Sequence, residues 1–162
     1  MPVSPDHFRR IMGQFATGVT IVTAAHEGRL AGMTANAITS VSLQPMLVLF
    51  CADRRARTNE MIDRSGAFAL NILTEKMRPL SDLFADNKKS EEERFAAVRH
   101  APGAVTGAPI LERNMGWLEC RVAHRYEGGD HTIFVGEVVN AGAGDGKPLI
   151  FYKGKYGRLE NE

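Results

Sequence analysis

The chain is short of the features that mark most specialised proteins. Its two cysteines, Cys51 and Cys120, lie far apart and form no CxxC pair, so the plain reading is two buried thiols in a reducing compartment. No apolar run approaches the roughly 20 residues that span a bilayer. The opening Met1-Pro2-Val3-Ser4-Pro5-Asp6 has neither the basic segment nor the apolar core of a secretory leader. No membrane attachment is expected, and the cytoplasm is the expected location. Charge of either sign is not in excess: 20 Lys+Arg stand against 19 Asp+Glu, for a net charge of +1. That balance offers no field to steer nucleic acid, and near-neutrality favours self-association.

Several reaction classes drop out by their missing motifs. The five histidines (His7, His26, His100, His124, His131) show no HExxH spacing and no cysteine neighbours, so no metal site is expected. There is no GxSxG elbow and no GxGxxG opening a helix after a strand. Gly142-Ala143-Gly144-Asp145-Gly146-Lys147 is glycine-rich, but Pro148 stands where a P-loop needs Ser or Thr, and the segment lies between β-like stretches. A surface turn is the expectation there. Repeats, low-complexity tracts and linkers are also absent, so residues 1–162 read as a single domain.

What is present reads mostly as β-structure. Ser4 and Pro5 suit a helix start, and Phe8, Ile11, Met12 and Phe15 form a helical stripe that Gly18 ends. Val19–Ala24 is a β-branched run, His26–Arg29 a turn, and Leu30–Ala37 a returning strand. Met46–Cys51 is almost wholly apolar, which predicts burial on both faces. Asp53–Ser65 predicts a short helix and Phe68–Leu73 a strand, with Glu75–Arg99 helical in pieces and Ser90…Glu93 matching a capping box. Ala101–Pro109 reads as a loop. Gly116–Tyr126 and His131–Asn140 form a long hairpin about Gly128-Gly129-Asp130, and Leu149–Tyr152 is a last strand. Six or seven strands with few short helices predict a barrel or sandwich.

Three stretches are candidates for function. Gly32-Met33-Thr34-Ala35-Asn36-Ala37, followed by Thr39-Ser40-Val41-Ser42, is unusually small and polar for a strand. Small side chains let a flat ligand approach backbone groups, and hydroxyls and amides orient it; an edge strand with solvated hydroxyls reads the same way. Asp53-Arg54-Arg55-Ala56-Arg57-Thr58-Asn59 puts arginines and a hydroxyl at a helix start, which suits a phosphate and equally a solvated basic turn. Gly129-Asp130-His131-Thr132 sits at the hairpin turn, where a histidine serves as a turn residue or a catalytic one.

The order and wording of these blocks resemble the flavin reductase-like family, the small reductase components of two-component flavin monooxygenases. The resemblance runs from about Phe8 to Tyr156. It is carried by Ala16-Thr17-Gly18-Val19-Thr20-Ile21-Val22-Thr23, Gly32 to Ala37, Ser40-Val41-Ser42-Leu43-Gln44-Pro45, Arg57-Thr58, Phe68-Ala69-Leu70-Asn71-Ile72-Leu73, Glu93-Arg94-Phe95, and Gly129 to Val138. Two departures are Glu93 where the family often has Asp, and Pro45-Met46 where it often has Pro-Pro.

The resemblance implies a mainly β fold with short helices: an FMN-binding split β-barrel of Greek-key type, paired as a homodimer. It implies an NAD(P)H:flavin oxidoreductase that passes hydride from NADH or NADPH to FMN, with FAD as the other flavin, and supplies a monooxygenase. A flavin-binding electron carrier, or a reductase of ferric or other acceptors through a tightly bound flavin, are the rival activities. By the same resemblance Thr34, Ala35, Asn36, Ser40, Val41 and Ser42 line the flavin, Arg57 and Thr58 meet the phosphate, and Phe95 covers part of the ring. His131, the catalytic candidate, lies near the nicotinamide as an orienting group.

Overall fold

The computed structural model describes residues 2–160. Ser4 caps the first helix as expected: its Oγ accepts a hydrogen bond from the His7 N–H at 3.2 Å, and Pro5 fills the first turn of α1 (Pro5–Met12). The helix stops at Gly13, well before Gly18. Then follow β1 (Thr17–Gly18), β2 (Thr20–His26), β3 (Arg29–Ala35), β4 (Ile38–Leu43), β5 (Met46–Asp53), α2 (Arg57–Ser65) and β6 (Ala67–Ile72). A 3-10 turn (Glu75–Met77) leads into α3 (Arg78–Ala85) and α4 (Glu91–Ala96). The chain ends with β7 (His100–Pro102), β8 (Pro109–Leu111), β9 (Gly116–Gly128), β10 (His131–Ala143), β11 (Ile150–Tyr152) and β12 (Lys155–Gly157).

The main sheet has seven antiparallel strands in the order β3-β2-β6-β9-β10-β5-β4. Its two edges, β3 and β4, are consecutive in the chain and joined only by Asn36 and Ala37. Two residues bridge only a short gap, so the sheet must curl until its edges meet there. No ladder joins β3 to β4 beyond that point, which makes the barrel split. The β5-to-β6 connection passes through α2 across the central β9–β10 hairpin, a Greek-key return.

Local chemistry accounts for the hairpins. Glu27 and Gly28 both take positive φ at the β2–β3 turn, and Gly129 takes φ +69 at the β9–β10 turn; such turns match the twist of paired strands. The capping box at α4 is present, with Ser90 Oγ accepting from the Glu93 N–H at 3.1 Å and Glu93 accepting from the Ser90 N–H at 2.9 Å.

Inside the barrel, Phe50 stacks on Phe134 with ring centroids 5.4 Å apart and meets Phe68 at 4.9 Å. Ile62 of α2 plugs the same cluster. Each such fully buried ring contributes about 2–3 kcal/mol. Gly136 lets Phe68 in, because a Cβ there would stand 2.5 Å from the ring. A second cluster on the outer side joins Ile21, Leu73, Phe84, Phe95, Leu111 and Leu149.

Two expectations need correction. Strand β5 is not buried on both faces: Val48, Phe50 and Ala52 point into the barrel, while Leu47, Leu49 and Cys51 are only half-buried. An apolar run hides which face will be covered, because both faces carry the same residue type. Residues 101–109, read as a loop, begin and end in a small ladder in which Ala101 pairs with Ile110.

The apolar stripe of α1 is present, yet no residue of that helix is buried. Phe15 is 72% exposed and Leu43 of β4 85% exposed, with Phe8, Ile11, Met12, Val41 and Met46 also open.

Candidate functional site

The small, polar residues collect at the seam where the barrel splits. Thr34 and Ala35 close β3, Asn36 follows, and Ser40, Val41 and Ser42 lie on β4, the next strand of the chain and the other edge of the sheet, where Ser40 and Ser42 stand opposite Val48 and Leu47 of β5. The Thr34 hydroxyl is engaged, donating to the Ser81 carbonyl of α3 at 2.6 Å. Ala35 is buried, and its carbonyl accepts from Thr20 Oγ1 at 2.8 Å. Asn36 is exposed and donates through Nδ2 to Thr17 Oγ1 at 3.3 Å. Ser40 and Val41 are exposed, and β4 bulges against β5 between Ser40 and Ser42; Ser42 Oγ accepts from the Gln44 N–H at 3.1 Å. A bulge re-aims side chains and interrupts pairing, and here it leaves an edge open where small residues face it.

One end of β5 ties this seam to the other two stretches. The Cys51 N–H donates to the Ala37 carbonyl at 3.1 Å, and Asp53 stands opposite His131 in the β5–β10 register. Asp53 then turns the chain into α2: its Oδ1 accepts from the Arg55 N–H at 2.8 Å and its carbonyl from the Ala56 N–H at 3.0 Å. Hydrogen bonds from the Arg55 side chain and N–H, with the Arg55 and His131 charges beyond them, hold the Asp53 carboxyl down at about 2.

Helix α2 starts without a side-chain cap, because Ala56 has no acceptor to offer. The first-turn N–H groups of Arg57 and Thr58 therefore stay open toward any anion, in line with the helix dipole. Thr58 is buried in the first turn. Arg57 Nη2 donates to the Lys89 carbonyl at 2.6 Å, and its Nε lies 3.1 Å from Glu91 Oε1. His131 is 42% exposed, and its Nδ1 lies 2.7 Å from Asp130 Oδ1. The hydrogen bond and charge of His131 keep the Asp130 carboxyl below its usual range.

Phe95 belongs to the second apolar cluster and reaches the cleft beside Arg57. It is 7% exposed, packs edge-on to Phe84 at 5.3 Å, and meets His100 at 5.2 Å. Together with Arg57, Glu91, Ala31 and Met61 it lines a cleft of about 580 Å³ beside the β2–β3 hairpin. A larger hollow of about 800 Å³, between Met77, Val98, Arg99 and Lys147, contains none of the expected site residues.

Three neighbours of the candidate site, Asn59, Glu91 and Arg94, had no role assigned from the sequence. Asn59, buried, donates through Nδ2 to Thr132 Oγ1 at 2.9 Å and to the Asp53 carbonyl at 3.3 Å, locking α2 onto the β5 and β10 ends. Glu91 and Arg94 clamp the free edge of β3: the Gly32 N–H donates to Glu91 at 3.0 Å and the Gly32 carbonyl accepts from Arg94 at 2.8 Å. Burial pushes the Glu91 carboxyl up while Arg94 and Arg57 draw it back. Gly32 belongs there because a Cβ would stand 2.6 Å from the Phe84 ring. The capping box at Ser90 signalled the helix but not the partners of Glu91.

A curled antiparallel sheet whose two edge strands do not pair with each other defines the class: a split β-barrel protein. The sequence matches the flavin reductase like domain family over residues 12–160. It is 36% identical to the reductase subunit HsaB of a flavin-dependent monooxygenase from Mycobacterium tuberculosis, over 99% of this chain and 85% of that one. It is 38% identical to the NADH-dependent FMN reductase AsuE2 of Streptomyces nodosus subsp. asukaensis, over 95% of this chain and 84% of the relative. The fold superposes with a TM-score of 0.90 on the NADH:FAD oxidoreductase SgcE6 of Streptomyces globisporus, solved with NAD and FAD fragments, at 36% identity, covering 99% of this chain and 97% of that one. The chain belongs to the flavin reductase-like family.

Proposed function

We infer that this protein is an NADH-dependent flavin reductase that takes FMN as its first flavin and delivers it reduced to a flavin-dependent monooxygenase. The observation that carries the reading is the meeting, at one end of β5, of the junction between β3 and β4, the uncapped start of α2 and His131. The relatives' named activities support it, and the free thiols Cys51 and Cys120 suit a reducing cytoplasm. Among the described residues no helix is long and apolar enough to cross a membrane.

The residues fit the group they would hold. Arg57, Thr58 and the first-turn N–H groups of α2 would meet the phosphate, while Thr34, Ala35 and Asn36 at the end of β3 and Ser40, Val41 and Ser42 on the strand that follows would offer backbone, amide and hydroxyl groups to the ring and its chain. Thr34 contributes through its backbone and methyl group, since Ser81 holds its hydroxyl. Phe95, already packed in the core, supports Gly32 and the wall of the lane from behind. The flavin, when bound, accepts hydride at N5 from nicotinamide C4, and the cofactor pair supplies that reactivity. The protein's part is to hold both rings in contact and keep water out. His131, steadied by Asp130, orients the nicotinamide.

The test is anaerobic mixing of protein, FMN and NADH while following the oxidised flavin band near roughly 450 nm, with loss of the band at a rate far above that in solution. His131→Ala is expected to raise the NADH KM several-fold and leave FMN affinity unchanged. Failure of the wild type to speed bleaching refutes the activity; loss of FMN affinity in the variant refutes the role of His131.

We also propose a homodimer. The apolar stripe of α1 has no buried residue, and Val41 and Leu43 of β4 and Met46 of β5 are open as well, which leaves large apolar side chains for a second copy to cover. Sedimentation of the wild type at micromolar concentration is expected to give twice the chain mass, and Phe8→Glu with Ile11→Glu to give the monomer. A monomeric wild type refutes this.

A further inference from the structure

Arg57 is held along one edge only. Its Nε and Nη2 face Glu91 and the Lys89 carbonyl, while Nη1 has no acceptor among the described residues. A guanidinium carries donors on all three nitrogens, so a free fork remains for an oxyanion. Glu91 is itself immobile: its carboxylate is 14% exposed and is fixed by the Gly32 N–H at 3.0 Å and by Arg94 at 3.0 Å. Arg94 is anchored in turn by the carbonyls of Gly32 and Asp86, each at 2.8 Å. A chain of short contacts therefore runs from the β3 edge, through Arg94 and Glu91, to the arginine at the start of α2.

We propose that Glu91 is a positioning residue for the flavin phosphate, holding Arg57 with its free edge available at the α2 N-terminus. This rests on the flavin-reductase reading, in which Arg57 meets that phosphate. The physical gain is rotameric. A long flexible side chain that is ordered only on binding costs affinity, and one already ordered does not. The carboxylate is not devoted to this one arginine, because Glu91 is shared between two guanidinium groups, those of Arg57 and Arg94.

The next residue supplies the control. Glu92 is exposed on the same turn and makes no ion pair with Arg57 within 4.0 Å, so Glu92→Gln removes the same charge without removing the hold. The experiment measures Kd for FMN and for riboflavin, which lacks the phosphate, in the wild type, Glu91→Ala, Glu91→Gln and Glu92→Gln, with thermal melts to establish that each is folded. Glu91→Ala is expected to weaken FMN about five- to ten-fold, the cost of ordering one free arginine, and to leave riboflavin within about two-fold. Glu91→Gln keeps an acceptor oxygen, so it falls between wild type and Glu91→Ala, and serves alone if the alanine variant does not fold. Glu92→Gln leaves the ratio unchanged.

Equal losses for both flavins would mean that Glu91 acts only by supporting β3, and tighter FMN would mean that it competes with the phosphate; either result overturns the proposal. A wild type that binds both flavins equally well overturns the phosphate role of Arg57 and this proposal with it. A wild type that binds neither refutes the flavin reading itself.

Discussion

A double variant, Arg57→Ala with Thr58→Val, is expected to bind FMN about 100-fold more weakly than the wild type and riboflavin almost as well. Each hydrogen bond to a charged group is worth about 1.5–3 kcal/mol, and a tenfold change in affinity is about 1.4 kcal/mol. The variant keeps the open N–H groups of the α2 first turn, so part of the phosphate affinity survives. Titration of each flavin by its fluorescence measures the two constants, and a parallel loss for both ligands rules out a phosphate contact. The effect exceeds the one expected at Glu91 because Glu91 only orients the donor that this variant removes.

Glu119→Ala is expected to destabilise the fold by about 3–4 kcal/mol. The carboxylate is fully buried on β9. It accepts hydrogen bonds from the Val105 N–H at 3.1 Å, the Thr106 N–H and Oγ1 at 2.8 Å each, and Asn140 Nδ2 at 2.7 Å. These bonds tie the segment between β7 and β8 to the β9–β10 ladder, and Gly103 lies so close that a Cβ there would overlap the carboxylate. Truncation leaves four partly buried donors without their acceptor. In a domain of 162 residues the melting temperature should fall by roughly 6–14 °C.

The same carboxylate makes the stability depend on pH. Burial alone would raise it, but the bonds from Thr106, Asn140 and Val105 outweigh burial and hold Glu119 below the ordinary glutamate range. A carboxyl lowered in the folded state contributes fully above its unfolded value, and that contribution is lost as the pH falls. Wild type should therefore lose more stability than Glu119→Gln between neutral pH and about pH 4. Denaturant titrations at both pH values compare the losses, and equal losses would show that Glu119 is not the group responsible.

Local features were readable from local residues. The Ser4-Pro5 start, the Ser90…Glu93 box and the Gly129-Asp130 turn each depend on groups within a few positions of one another, and the backbone answers to them directly. Helix α2 was foreseen too, though it begins at Arg57, because Asp53 first uses its carboxylate and carbonyl to make the turn before it. The stripe on α1 was equally legible, but a stripe marks a face without naming its cover. Strand β5 failed for a related reason, since uniform apolarity carries no information about which side the barrel encloses.

The candidate site divides along the same line. Its vocabulary, a small polar lane, a basic helix start and a histidine at a turn, was determined by the residues alone, and so was family membership, because each block is short and contiguous. The tertiary structure decided that the lane is divided between the two edge strands of the sheet and that Thr34 gives its hydroxyl to Ser81. It also decided that Phe95 packs in the core and that Arg57 is held by a glutamate from another helix. Those facts depend on register and on contacts between residues remote in sequence. Such contacts follow from how a curled sheet closes, and no single stretch of chain carries that closure.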